Sequence, residues 1–201
     1  VTYSVSPGFG NGFRALAAAD FENAGTVLAS GAVTAANNVR YASSGALTFT
    51  GSAHAANSFV VDNPSTTAGT LLAVSGSGAG DSLALASGAL LFAGSATPQP
   101  VTFGGFAAGI TTSASEYVFT QNNLAAGGVL LSSPLTSAVG LIKSGPGILK
   151  LTANNSGLTS VTVNQGTLGI ASQSAVNGLT VSLAWGALGL LADGDGTGSR
   201  E

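Results

Sequence analysis

The sequence predicts an all-β fold, a parallel β-solenoid, and three observations support the prediction. Gly supplies 30 of the 201 residues and charged residues only 6%, whereas an ordinary soluble domain has about 25% charged residues. Apolar residues still reach 45%, which is enough to build a packed core. Short apolar runs bounded by Gly, Ser, Asn or Pro recur along the chain, and such runs are typical of strands.

Individual strands are predicted where these runs are richest in Val, Leu, Ile, Thr and Phe. They cover residues 25–28, 46–50, 58–61, 117–120 and 148–152. Between these runs the chain turns at Gly, which adopts positive φ without steric cost. In a parallel stack, outward Ser, Thr and Asn avoid the repulsion that like charges in register would cause. The scarcity of charge is therefore what a stack of parallel strands favours.

The N-terminal segment has a different character. Residues 13–19 are rich in Ala, which favours a helical turn. Phe9, Phe13 and Phe21 are three of the nine Phe in the chain. We therefore expect residues 1–23 to form a short helical or irregular cap or assembly segment, residues 24–192 the solenoid, and residues 193–201 a polar tail.

Two pairs of segments repeat at nearly the same spacing. Residues 44–53 recur as 87–96, an offset of 43, and residues 24–28 recur as 68–72, an offset of 44. Periods of this length indicate a repeat architecture, and the strands lie too close together for crossover helices. Each period is interpreted as two coils of roughly 20 residues, which gives about nine or ten coils in the chain.

Residues 141–168 carry a more specific pattern. They resemble the autotransporter-associated β-strand repeat, also called the passenger-associated transport repeat, of secreted bacterial β-helix proteins. The matching positions are Lys143, Gly145, Gly147, Leu149, Leu151, Asn154, Val161, Val163, Gly166 and Leu168. An aromatic-Thr-Gly-Gly corner of the repeat is replaced here by Ser156, Gly157 and Leu158. The resemblance implies a right-handed parallel β-helix on the bacterial surface or outside the cell, without catalytic residues or cofactors.

The composition of the chain indicates an extracellular location and excludes some classes of partner. The chain has no Cys and no Met, which fits an oxidising extracellular environment. Five scattered Lys and Arg and a net charge of -3 exclude a nucleic-acid binder. No stretch holds about 20 continuous apolar residues, so no membrane-spanning helix is predicted.

Few residues of the chain are candidates for a catalytic role. His54 is the single histidine, and without a G-x-S-x-G motif to position a serine we interpret it as a corner or surface residue. Asp62 and Asp81 are separated by an offset of 19, so adjacent coils could bring them together as the paired carboxylates that glycoside hydrolysis needs. Solvated corner residues are the favoured interpretation.

Asp193 and Asp195 begin a Gly-rich segment that resembles the start of a calcium loop. The Glu required at the twelfth position would fall beyond Glu201. A polar tail is therefore predicted rather than a metal site, with calcium binding left open. No catalytic, cofactor or metal residue is assigned.

A solenoid has two open ends, and each needs a cap or a partner. We expect head-to-tail association, with the N-terminal region of one subunit covering the C-terminal coil of the next. The predicted function is a non-catalytic extracellular fibre, sheath, matrix or surface layer. An adhesin or passenger stalk module and a polysaccharide-active β-helix enzyme are the alternatives, and a surface polysaccharide is the other candidate partner.

Overall fold

The computed structural model describes residues 2–6, 9–14, 22–23, 34–50, 53–94, 97–171, 173–176 and 178–191. Within these ranges the fold is all-β, and the one helical element is the 3₁₀ turn Gln173–Ala175. The strands in chain order are β1 (Thr2–Ser6), β2 (Phe9–Arg14), β3 (Glu22–Asn23), β4 (Asn38–Ala42), β5 (Leu47–Thr48), β6 (Ala53–Asp62), β7 (Leu72–Gly78), β8 (Ser82–Phe92), β9 (Val101–Phe106), β10 (Gly109–Thr111), β11 (Glu116–Gln121), β12 (Val129–Leu131), β13 (Gly140–Ser144), β14 (Ile148–Leu151), β15 (Ser160–Val163), β16 (Gly166–Ile170), β17 (Val181–Leu183) and β18 (Gly186–Leu190).

Two parallel sheets contain most of these strands. The first has nine strands and runs β17-β15-β13-β11-β8-β6-β4-β3, with β10 beside β8. A second sheet of seven strands runs β18-β16-β14-β12-β9-β7-β5. From β11 onward, successive strands alternate between the two sheets. We call the stretch of chain from one strand to the next strand of the same sheet a circuit. Each strand pairs with the strands one circuit earlier and one circuit later. This arrangement is consistent with a parallel β-solenoid.

Circuit length varies along the chain. Leu141 pairs with Val161, an offset of 20, and the offset is 19 or 20 in every later pairing up to the last strand of each sheet. In the middle, Leu90 pairs with Phe119, an offset of 29. The coil length expected from the sequence is therefore confirmed in the C-terminal part, whereas the central circuits are longer.

The predicted 43-residue period is not a structural repeat. Leu47 lies in β5 of the second sheet, whereas its counterpart Leu90 lies in β8 of the first. Leu47 pairs instead with Val74, an offset of 27. The two similar segments therefore occupy non-equivalent positions, because an apolar run between Gly and Ser suits a strand in either sheet. Residues 24–28 of the other pair lie outside the described residues.

Strand positions follow the sequence closely where they are described. The predicted runs at 46–50, 58–61, 117–120 and 148–152 contain β5, the second half of β6, most of β11, and β14, whereas 25–28 lies outside the described residues. The helical turn predicted at Phe13 and Arg14 is wrong. Both end β2, which pairs antiparallel with β1, because strand pairing overrides a weak helix propensity. Residues 15–19 lie outside the described ranges.

Apolar side chains alternate with outward polar ones and meet between the sheets. The largest group at the centre is aromatic and contains Phe49, Phe59, Phe92, Phe103 and Phe106. Its rings come from both sheets and from the loop after β5. The long central circuits therefore surround the bulkiest part of the core.

Buried amide side chains join successive circuits where the chain passes from the first sheet to the second. The Asn123 amide donates to the Gln99 carbonyl at 2.8 Å, and the Gln121 amide donates to the Ile148 carbonyl at 3.0 Å. Asn123 and Gln121 are almost completely buried. They satisfy corner carbonyls that the strand ladders leave unpaired.

Candidate functional site

The most unusual surface of the described chain is its last coil. We call residues 178–191 the C-terminal coil, which holds β17 and β18, the terminal strands of the two parallel sheets. Its inward positions continue the core columns of the coil before it, since Leu188 pairs with Leu168 and Leu190 with Ile170. Each terminal strand is paired on one side, within the described residues, and presents its other edge outward.

The core column becomes exposed at this coil. Leu168 is buried, whereas Leu188 is 38% exposed. At the next inward position of the same strands, Ile170 is buried and Leu190 is 63% exposed. Leu183 is 49% exposed although its neighbour Val163 is fully buried. Side chains with the geometry of core residues therefore form an open apolar end.

Trp185 stands at the rim of this end, in the bend between β17 and β18, and is 90% exposed. A largely exposed Trp is uncommon, because its ring is among the most costly apolar surfaces to leave in water. Sequence analysis expected association at the C-terminal coil but did not single out Trp185 or the leucines of this end. The available signal was the single Trp of the chain inside residues 178–191, which contain no charged residue.

Toward the opposite end of the two sheets, the core is covered wherever burial is described. Val39 and Tyr41 in β4, Leu47 in β5 and Phe49 just after β5 are all buried. The first sheet continues past β4 to β3.

His54 does not lie at a corner or on the surface, so that interpretation is wrong. It is the second residue of β6 and pairs with Leu83, which is fully buried. The half-buried ring lies edge-on to Phe49 at 4.8 Å between centroids. Its Nε2 is buried without a hydrogen-bond partner among the described residues. Aromatic rings thus occupy the place where a catalytic triad would need Ser and Asp.

Asp62 and Asp81 are not brought together. Asp62 ends β6, while Asp81 precedes β8, and these long strands pair along their length. The two carboxylates therefore lie at opposite ends of one strand pair. Their spacing in sequence does not juxtapose them because the circuit there is longer than the C-terminal ones, as shown by Phe59 pairing with Leu90.

Both carboxylates have structural partners. Asp62 accepts a hydrogen bond from the Arg40 guanidinium at 2.6 Å, forming an ion pair. Asp81 is buried, which corrects the expectation that it is solvated, and it accepts hydrogen bonds from the Ser77 backbone N–H and hydroxyl. These contacts hold the strand ends rather than a reacting group.

Lys143 is the buried charge of the C-terminal part. It lies in β13 with its side chain fully buried, and its Nζ donates to the Gly145 carbonyl at 2.5 Å and the Gln165 carbonyl at 2.7 Å. The second bond crosses to the next circuit. A Cβ on Gly166 would lie 2.6 Å from this Nζ, so Gly at that position makes room for the lysine. Burial lowers the pKa of the Lys143 ammonium from 10.5 to about 8.

This shift predicts a pH-dependent stability. Below pH 8 the folded chain holds a buried charge, and between pH 8 and 10.5 the folded state loses the proton before the unfolded state does. The free energy of unfolding should therefore rise with pH in this window, by up to about 1.4 kcal/mol per pH unit. The neutral amine still has two N–H groups for its two carbonyls. Urea titrations between about pH 7.5 and 9.5 should show the rise in the wild type and its loss in Lys143→Met.

Lys150→Met is the matched control, because Lys150 lies on the outward side of β14. It should retain the wild-type slope. If the rise of the free energy of unfolding with pH were unchanged in Lys143→Met, the prediction would be wrong, because folding would then not lower the pKa of this lysine.

The remaining motif positions lie where a coil needs them. Leu149, Leu151, Val161, Val163 and Leu168 are buried. Gly145 turns a corner at φ 78°, where a Cβ would come within 2.5 Å of the Gln121 carbonyl oxygen. Asn154 is exposed, however, and the adjacent Asn155 is the buried corner amide.

The described ranges contain no group of three His, Asp or Glu side chains able to hold a metal ion. Asp193 and Asp195 lie outside them. Nowhere in the same ranges is there a helix with the length and apolar character to cross a bilayer.

Comparison with known proteins gives no match to any family, any curated protein or any solved structure.

Proposed function

We propose that this chain is a non-catalytic structural protein, a right-handed parallel β-solenoid that self-associates through its C-terminal coil. Its setting would be an extracellular fibre, sheath, matrix or surface layer of a bacterium. The observation that carries the proposal is the uncovered apolar end formed by Leu183, Leu188 and Leu190. Exposed apolar surface of this kind favours association, because burying it removes it from water.

Several features support the solenoid and its hand. The regular circuits of the C-terminal part stack parallel strands in two sheets. Connections between parallel strands are right-handed in nearly all known cases. The resemblance of residues 141–168 to the autotransporter-associated repeat points the same way. That resemblance, with the absence of Cys and Met, also supports the extracellular assignment.

The non-catalytic assignment is supported by the roles of the polar groups. Asp62 is engaged by Arg40, Asp81 by Ser77, and Lys143 by two corner carbonyls. Each such group has a structural explanation in holding strand ends or corners together. A polysaccharide-cleaving site would need carboxylates facing each other, and the Asp62–Asp81 pair does not provide it.

Self-association is tested by sedimentation velocity and electron microscopy of the purified chain over a concentration series. We expect assemblies larger than one chain at high concentration. Leu190→Lys should shift the population to monomers, because it places a charge in the apolar end. Leu124→Lys is the matched control, since Leu124 is 58% exposed in the corner between β11 and β12, and it should assemble like the wild type. A wild-type chain that stays monomeric up to its solubility limit would refute the proposal.

A stalk module of a larger surface protein is the second candidate. The strand register continues unchanged to β18, as a further coil of the same polypeptide would require. Additional coils of the same length following this sequence in the natural polypeptide would cover β17 and β18 and support this alternative.

A further inference from the structure

We propose that Asn154 is the acceptor of an N-linked sugar, which makes the corner between β14 and β15 a modification site. The sugar comes from a donor whose anomeric carbon is activated by phosphate, and a glycosyltransferase carries out the transfer. The proposal does not rest on self-association, since it concerns a corner of the chain rather than the C-terminal coil.

The first argument is the local sequence. Asn154, Asn155 and Ser156 form an Asn-x-Ser motif, and N-glycosylation needs Asn-x-Ser or Asn-x-Thr with any middle residue except Pro. No other of the twelve Asn in the chain begins such a motif. The near match that begins at Asn63 has Pro64 in the middle, which excludes it. The sequence therefore restricts the modification to a single position.

The second argument is the accessibility of the acceptor side chain. Asn154 is exposed in the corner that follows β14, and its amide has no hydrogen bond to any described residue. The Asn63 side chain, in contrast, is buried and donates to the Thr70 carbonyl at 2.9 Å. A sugar attached to Asn154 therefore extends into solvent without breaking a contact in the described part of the chain.

The middle residue of the motif indicates when the sugar is attached. Asn155 is buried, its backbone N–H donates to the Ser174 carbonyl at 3.2 Å, and its carbonyl accepts from the Leu158 N–H at 3.1 Å. The folded corner therefore closes the backbone in the middle of the motif to an enzyme. The transferase must reach the motif before this corner folds, and the folded coil has only to leave room for the attached sugar.

The third argument is the scarcity of charge on this chain. Charged residues make up only 6% of the sequence, against about 25% in an ordinary soluble domain, and charged side chains are the usual source of surface solubility. Like charges in register would repel each other across neighbouring strands of a parallel stack. An N-linked sugar is bulky and solubilising, so it hydrates the surface without adding such repulsion.

The transfer is a substitution at the anomeric carbon of the sugar. The Asn154 Nδ2 forms a bond to this carbon, the bond from the carbon to the donor phosphate breaks, and the phosphate leaves with the electron pair. The displaced amide proton goes to a base of the transferase. This chain therefore supplies only the acceptor nitrogen and the motif around it.

Mass spectrometry of the chain purified from its natural source tests the proposal. The peptide that contains Asn154 should be heavier by one or more sugar residues, and fragmentation should place the added mass on Asn154. Ser156→Ala, produced in the same host, should lose the added mass completely, because it removes the motif and keeps the acceptor. Ser156→Thr should retain the added mass, since either hydroxyl residue completes the motif.

Asn122 is the matched control within the same molecule. It is an exposed corner Asn followed by the buried Asn123, as Asn154 is followed by Asn155, but its third residue is Leu124. Its peptide should therefore carry no sugar. An unmodified Asn154 in the wild-type chain would overturn the proposal. So would an added mass that persists in Ser156→Ala, or a sugar on Asn122 as well, because the motif would then not select the site.

Discussion

Replacing Phe103 by Ala should lower the free energy of unfolding by about 3–5 kcal/mol, the range for truncating a fully buried Phe. Phe103 is completely buried at the centre of the aromatic group. Its ring centroid lies 5.8 Å from that of Phe59, 6.0 Å from that of Phe92 and 5.7 Å from that of Phe106. Truncation removes three ring contacts at once and leaves a cavity that rings held by two different sheets cannot easily close.

Urea denaturation followed by circular dichroism measures the change. Leu71→Ala is the control, because Leu71 is about half exposed and its truncation should change the free energy by less than about 0.5 kcal/mol. A loss below about 1 kcal/mol for Phe103→Ala would mean that the aromatic group is loosely packed and rearranges around the gap.

Asn155→Ala should be nearly as costly, at about 2–4 kcal/mol. The Asn155 side chain accepts a hydrogen bond from the Leu135 N–H at 2.8 Å and donates to the Ala175 carbonyl at 2.5 Å. These residues lie one circuit before and one circuit after it, so a single amide joins three coils. Its removal leaves a buried N–H and a buried carbonyl without partners, and each costs about 1–3 kcal/mol.

The adjacent residue provides the control, since Asn154 is exposed and Asn154→Ala should leave stability nearly unchanged. Amide hydrogen exchange gives a local readout, because the Leu135 N–H should exchange faster in Asn155→Ala than in the wild type. Equal stability of the two variants would show that Asn155 does not hold the coils together.

The sequence predicts the buried positions of the core strands more accurately than the buried position at a corner. The alternation of apolar and polar residues around Val161 and Leu168 predicts inward positions, and these residues are buried. For the corner amide, the motif resemblance points to Asn154, while the buried side chain belongs to Asn155. A shift of one position is not visible in a motif, because it depends on how the corner turns.

The sequence also did not predict which strands, far apart along the chain, pair with each other. The similarity of residues 44–53 and 87–96 suggested equivalent coils, but Leu47 and Leu90 lie in different sheets. Likewise, the spacing of Asp62 and Asp81 fits the short circuits of the C-terminal part, whereas the circuit there is longer. Register is set by the lengths of the connecting segments, and nothing in a local run of residues records those lengths.

By itself, the sequence determined the strand class of the chain, the approximate length of its C-terminal circuits and the scarcity of charged groups for chemistry. These follow from composition and from side-chain alternation, which are local properties. The tertiary structure alone decided that Lys143 is a buried link between two circuits and that His54 faces the aromatic core. It also decided that Leu183, Leu188 and Leu190, which have the same pattern as buried residues, remain exposed. The physical reason is that a side chain's burial depends on whether another coil covers it, and a residue's own neighbours in sequence cannot specify that.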